Sequence, residues 1–517
     1  MGRASLIAMR DTCMVRLRSV RCVPPNATAI AMTLSHSARA FAASCAALMV
    51  AAAATAAAAP IETLLYSFGA PLDGVQPRAG LIADSAGNLY GTTADGGAFG
   101  RGTVFRVTPS GTETALHSFA GPPNDGALPL AGLVADSAGN LYGTTIGGGA
   151  FEHWGTVFKV TQSGTETVLH SFAAPPYDGI HPTGGLIADS AGNLYGTTSG
   201  GGVFFSGTIF KLTPSGTENV LYSFGGLPDD GSMPMAGLIA DSAGNLYGTT
   251  AGGGAFGYGT VFELTPSGTE SVLHSFAGPP NDGSMPMAGL IADSAGNLYG
   301  TTVSGGASCP DEEGCGTVYK LTAGGTETVL YSFTGPFSAD PGEGDGANPD
   351  GALISDSAGN LYGTTGNGDG DGIVFKLTPS GMETVLSFFE ANPHNNTTGS
   401  HPFAGLTADS AGSLYGTTVA GGTSGDGTVF KLTGTGFVTP LAALLTEVTG
   451  VGPGTSLADK VTLAQTYHSA NDIPNTCSTL TALVNEVTAQ ERKKISQSAG
   501  GQIIADAATI KAAIGCP

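Results

Sequence analysis

The chain has 517 residues, a formal net charge of −22, 82 glycines and only 12% Asp, Glu, Lys and Arg, about half the usual charged share. So acidic a surface repels phosphate backbones and anionic lipid heads, which argues against a nucleic-acid partner. Recurrent Leu-Tyr, Val-Phe and Val-Leu pairs supply apolar surface to bury; they argue against disorder and for many short strands joined by tight turns.

Residues 1–59 read as an export leader. They hold six Arg and one Asp, which leaves 13 basic against 40 acidic residues, or −27, in the remainder. An almost unbroken run of Ala, Val, Leu and Met, Phe41–Ala59, follows Arg39 and ends before Pro60. That pattern predicts cleavage near Ala59 and a bacterial protein that is secreted or held at the cell surface. A retained membrane anchor is weakened by the dominance of alanine, and no later segment is apolar enough to span a bilayer. A lipoprotein through Cys45 is weakened by Ala42, where a large aliphatic residue is wanted. Translation from Met32 also fits.

Cys13, Cys22 and Cys45 fall in the leader, so the mature chain keeps four cysteines. In an exported protein their placing predicts local disulfides, Cys309 with Cys315 and Cys477 with Cys516. Zinc at the first pair lacks a nearby His to complete a site.

From Pro60 to residue 435 the sequence repeats. Leu-Tyr-Gly-Thr-Thr begins at Leu89, Leu141, Leu194, Leu246, Leu298, Leu361 and Leu414. Each period carries four strand-like runs; in the first copy they are Gly80–Asp84, Asn88–Thr93, Gly102–Thr108 and Glu113–Phe119. The first and third connections are short and uniform, Asp-Ser-Ala-Gly and Pro-Ser-Gly in the first copy, whereas the second and fourth are longer and varied. The predicted fold is all-β: a seven-bladed β-propeller of four-stranded antiparallel blades, with one uniform rim and one varied rim. A β-solenoid is the alternative. A fourth-strand-like segment, Glu62–Phe68, precedes the first copy and is expected to complete the seventh blade, closing the ring. Gly436–Leu441 carries Pro440, suits a ladder poorly, and is expected to lead out instead.

Several repeated residues invite a functional reading. His117, His170 and His274 share one register with Tyr66, Tyr222 and Tyr331, which marks them as packing residues and not as catalysts. Asp73, Asp125, Asp178, Asp230, Asp282 and Asp345 stand in Asp-Gly-x-x-Pro loops on the varied rim, where they suit either turn chemistry or the binding of a cation or sugar hydroxyls. Phe99, Phe151, Phe204 and Phe256 recur in the second connections and are expected to tuck between blades. Trp154, Tyr258 and Phe205 beside them suit a carbohydrate face or a partner surface. Asn367, Asp369, Asp371 and Gly372 copy half of a calcium loop, but Thr378 stands where the bidentate Glu belongs. Asp369 and Asp371 are thus weak calcium candidates, and no other cofactor or metal is implied.

Past Pro440 glycine thins and apolar residues take helical spacing, so residues 436–517 are predicted to form a small all-α bundle of about four helices. Leu441–Thr449 and Ser456–His468 give two; Cys477, Leu480, Val484 and Val487 line the face of a third, and Ile503, Ala507, Ile510 and Ile514 that of a fourth. A domain this small gains from the Cys477–Cys516 staple.

The copies, through Gly-Leu-Ile-Ala-Asp-Ser-Ala-Gly-Asn-Leu-Tyr-Gly-Thr-Thr and Gly-Thr-Val-Phe-Lys-Leu-Thr, resemble the GloVer-type tandem repeat of bacterial choice-of-anchor proteins. They depart from the sialidase Asp-box, because two residues separate Asp84 from Gly87 where that motif has one. The C-terminal Cys-x-x-Leu-x-x-Leu-Val-Asn, Ala-Gln-x-x-Lys-Lys and Ile-Gly-Cys stretches are similar to the FIMAH domain of bacterial extracellular proteins. These resemblances imply a surface or secreted protein and attachment. The expected function is non-enzymatic binding of an extracellular carbohydrate or protein on the varied rim, by a monomer. The rival is a polysaccharide lyase or hydrolase with carboxylates in the central channel.

Overall fold

A computed structural model describes residues 59–516 except 152, 174–175, 177, 226–228, 308, 310–313, 336–343, 368–370, 390–397, 452–454, 470–471 and 491–493. The leader before residue 59 and Asp369 lie outside the described residues. Seven four-stranded antiparallel sheets form a β-propeller, and four helices follow. In the first blade the strands, from the axis outward, are Ile82–Ala83, Leu89–Thr93, Thr103–Val107 and Glu113–Ser118.

The repeated pentapeptide explains why the blades form and hold together. Its Leu is buried in every copy. Its Tyr donates from the phenol to the Asp of the preceding turn, as Tyr90 does to Asp84 at 2.9 Å. Its Gly makes room: a Cβ on Gly91 would stand 2.7 Å from the Phe105 ring on the neighbouring strand. Its first Thr reaches the next blade, where Thr92 donates to the Ala131 carbonyl at 3.0 Å, and so on around to Thr417 and Ala79 at 3.1 Å. Its second Thr meets the Thr of the third strand, as Thr93 meets Thr103 at 2.9 Å. In the sixth blade Ile373 replaces that partner, and Thr365 accepts from its backbone N–H instead.

The core lies in the gaps between blades. At the end of each fourth strand a Phe packs on the third-strand ring of the following blade: Phe119 meets Phe158, and Phe276 meets Tyr319, both with centroids 5.0 Å apart. Both rings of each pair are fully buried, and each contributes about 1.5–3 kcal/mol of hydrophobic stabilisation.

Closure follows the expected route. Ile61–Ser67 pairs antiparallel with Thr428–Thr433, from Ile61 opposite Thr433 to Ser67 opposite Thr428. Phe68 then fills the last gap against Phe105 at 5.1 Å. Gly436–Leu441 leaves the ring: Phe437 packs on Tyr362, Val438 exchanges hydrogen bonds with Asp356 and Ser357, and Pro440 starts a helix capped by Thr439.

The helices are α1 (Pro440–Val448), α2 (Ser456–Ser469), α3 (Ile473–Gln490) and α4 (Gln497–Ala513). They share a core that includes Leu444, Val461, Leu480, Leu483, Val487, Ile503 and Ala507. Leu483 is fully buried, while Val484 packs at the margin. Cys477–Cys516 ties α3 to the chain end, and Cys309–Cys315 closes a loop of the fifth blade. No helix among the described residues is long and apolar enough to cross a membrane.

Candidate functional site

The six loop aspartates face inward onto their own turns. Asp125 accepts from the Ala120 and Gly126 backbone N–H groups, both at 2.7 Å, and from His117 Nε2 at 3.2 Å. Asp282 repeats this with His274, and Asp178 keeps both backbone bonds while His170 Nε2 stands 3.4 Å away without a hydrogen bond among the described residues. Asp73, Asp230 and Asp345 instead take the phenols of Tyr66, Tyr222 and Tyr331 at 2.7–3.1 Å. All are buried except half-buried Asp230. The geometry is that of turn chemistry, each carboxylate being held by the backbone of its own loop.

The fourth strand of the next blade brings a Glu beside each of these aspartates: Glu113, Glu166, Glu218, Glu270, Glu327 and Glu383. Burial, then the nearby Asp, push each carboxyl up to about 7. One oxygen of each is buried without a hydrogen-bond partner among the described residues. In the seventh gap Ser387 donates to Glu62 at 2.6 Å.

At the varied rim a second, unanticipated feature recurs. The residue before the loop proline has positive φ in every copy although none is glycine: Gln76, Leu128, His181, Met233, Met285, Asn348 and His401, all between 55° and 58°. Left-handed backbone is costly for side-chain-bearing residues and clusters at functional sites. Each is clamped on both sides. Its N–H donates to the carbonyl two residues before the third strand of the previous blade, as Met285 does to Tyr258 at 2.9 Å. Its carbonyl accepts from its own blade, as Met285 does from Val303 at 3.1 Å.

The residue after each proline, Arg78, Leu130, Thr183, Met235, Met287, Asp350 or Phe403, stands four residues before the innermost strand. Around the axis these two positions are apolar in the second, fourth and fifth blades, with Leu128, Leu130, Met233, Met235, Met285 and Met287 and with His181 and Thr183 between them in the third, and from the sixth blade to the first they give a polar arc broken by Phe403. In the polar arc, His401 Nε2 lies 3.8 Å from Asp371, and burial pushes the Asp350 carboxyl up to about 6.

Trp154 and Tyr258 belong to this surface. Their carbonyls hold His181 and Met285, Trp154 lies 6.0 Å from the His181 ring, and Tyr258 is 43% exposed. Phe205 is 66% exposed farther out on the loop. The recurrent Phe99, Phe151, Phe204 and Phe256 do not tuck between blades as expected; they are 53–61% exposed, because Phe119 and its equivalents already fill the gaps. Asp371, the described calcium candidate, faces His401, while Asn367 of the same motif donates to Asn348.

A family model described as Gloeobacter/Verrucomicrobia repeat matches residues 54–243 and 237–472. No curated protein matches. Among solved structures, a luciferin-regenerating enzyme is similar at 15% identity and a TM-score of 0.34, covering 74% of this chain and 97% of its own.

Proposed function

Since the chain belongs to the Gloeobacter/Verrucomicrobia repeat family, we propose that its propeller is a binding module that grips a partner at the varied end of the axis. The observation that carries this reading is the set of seven clamped, left-handed positions whose backbone is constant and whose side chains differ from copy to copy. Exposed Met233 and Met285 favour a protein partner offering an apolar segment, since thioethers adapt to irregular surfaces. The polar arc with Arg78 and Asp350 would orient that segment.

The test is a peptide and glycan array probed with the chain and with a Met233→Ser/Met285→Ser double variant. Binding to peptides that falls at least tenfold in the variant supports the proposal; equal binding overturns it. Asp350 favours one second reading, a hydrolase or lyase with this raised carboxyl as general acid. An Asp350→Asn variant that keeps binding but loses turnover would select it.

Export and attachment belong to the same proposal. The basic, Ala-rich leader supports cleavage near Ala59, and mass spectrometry of the exported protein should find a chain starting near Pro60. The helical module, with its FIMAH-like motifs, would hold the propeller to the cell surface.

A further inference from the structure

We propose that three gaps in the outer wall are metal sites, each holding one divalent transition-metal ion between neighbouring blades: His117, Asp125 and Glu166; His170, Asp178 and Glu218; His274, Asp282 and Glu327. In each trio one imidazole nitrogen and two carboxylate oxygens lie within 4.8 Å of one another. Two of the donors come from one blade and its following loop, and the Glu comes from the next blade. An ion there is bonded to both sides of a gap.

The donors are already held in place. Backbone N–H groups fix each Asp at 2.6–2.7 Å. Each imidazole stands edge-on to a buried Phe with centroids 4.7–4.9 Å apart. Such outer support is what a metal ligand requires to keep its orientation. Nε2 lies 3.2–3.4 Å from the Asp oxygen, close to the separation of two ligands that each sit about 2.1 Å from a tetrahedral ion. One Glu oxygen in each trio is buried and unpartnered among the described residues, as is His170 Nε2. A buried carboxylate oxygen beside a second carboxylate is costly to leave without a counter-charge, and a dication supplies one to both. The His and Asp side chains keep 12–19% of their surface, which gives an ion a way in and leaves a coordination position for water.

The mixed nitrogen and oxygen set suits zinc better than calcium or magnesium, which prefer oxygen throughout. The other three Asp-containing gaps supply the control. There Tyr66, Tyr222 and Tyr331 offer the same Asp a phenol O–H and no imidazole lone pair. Those gaps are predicted to stay without zinc, although their Glu and Asp are the same.

The experiment is zinc stoichiometry, by elemental analysis and calorimetric titration of the chelator-stripped chain with zinc sulfate. Histidine variants take the residue that the sister gaps already use. His274→Tyr should lose one ion per chain, and His117→Tyr/His170→Tyr/His274→Tyr should lose three, with the zinc-induced rise in Tm lost in step. Tyr222→His should gain one ion and does not depend on the triple variant folding. Equal zinc content in the native chain and the triple variant, or no uptake at micromolar zinc, overturns the proposal, as does a Tyr222→His chain with no extra ion.

Discussion

The outer wall and the axial end of the propeller obey different rules, though one repeat builds both. In the wall, six of seven equivalent positions are Tyr or His and each bonds or faces an Asp across a few ångströms, while the seventh, Ser387, bonds Glu62. At the axial end, seven equivalent positions carry Gln, Leu, His, Met, Met, Asn and His on one backbone conformation. In the wall a side chain must fit the next copy of the repeat, so it is fixed by its neighbour. At the axial end the backbone alone is clamped, by hydrogen bonds that any residue but proline can make, and the side chain is free to vary.

The largest effect should come from opening the wall. Ile61–Ser67 is the outer strand of the seventh blade, and Phe68 is fully buried in the last gap. Deleting residues 60–68 exposes the edge of Thr428–Thr433. The cost should exceed that of a single buried Phe→Ala, about 3–5 kcal/mol, and the whole propeller should melt earlier in calorimetry. A deletion that leaves Tm unchanged would mean that the ring is held by other contacts.

A matched pair of truncations sharpens the contrast. Phe158→Ala empties a fully buried inter-blade position and should cost about 3–5 kcal/mol. Met285→Ala removes a side chain that is 43% exposed and should change stability by no more than about 0.5 kcal/mol, while weakening partner binding. Similar costs for both would remove the distinction drawn between frame and display.

Protonation gives a third, pH-dependent separation. Burial pushes the Glu113, Glu270 and Glu383 carboxyls up to about 7 from an ordinary 4.5, with Asp73, Asp230 and Asp345 raising them further. The fold therefore holds protons that the unfolded chain has released. Stability from these groups is full below about 4.5, declines as pH rises from there through 7, and is flat above. A Glu113→Gln/Glu270→Gln/Glu383→Gln variant should melt with the native chain near pH 4.5 and several degrees above it at pH 8. No advantage at pH 8 would show these carboxyls to be solvated.

The wall was legible in the sequence because its signals repeat. Leu-Tyr-Gly-Thr-Thr seven times over, an extra Glu62–Phe68 strand and Pro440 were enough for blade number, strand number and closure. The same logic failed at Phe99, Phe151, Phe204 and Phe256, where recurrence was read as packing; Phe119 and its equivalents, also recurrent, hold that space. The axial positions went unread for the opposite reason. Nothing in Gln76, Met233 or His401 announces positive φ, since it comes from hydrogen bonds to a neighbouring blade. What was visible is a constant Pro between two residues that change from copy to copy.

The smallest effect tests that strain directly. Met233 holds φ 55° and is 48% exposed, so glycine there loses little burial and relieves a conformation costing about 1–3 kcal/mol. Against that stands the extra freedom of glycine in the unfolded chain, about 0.5–1 kcal/mol. Met233→Gly should therefore leave stability unchanged or raise it by about 1 kcal/mol. Met382, 62% exposed in a turn on the opposite, uniform rim, lacks positive φ. Met382→Gly has no strain to relieve and should lose about 0.5–1 kcal/mol. Urea midpoints for the two variants, measured beside the native chain, should move in opposite directions or differ by about that sum. If both glycines destabilise equally, the left-handed positions are unstrained, and copy-to-copy variation alone must carry the argument that the axial end is built to display side chains.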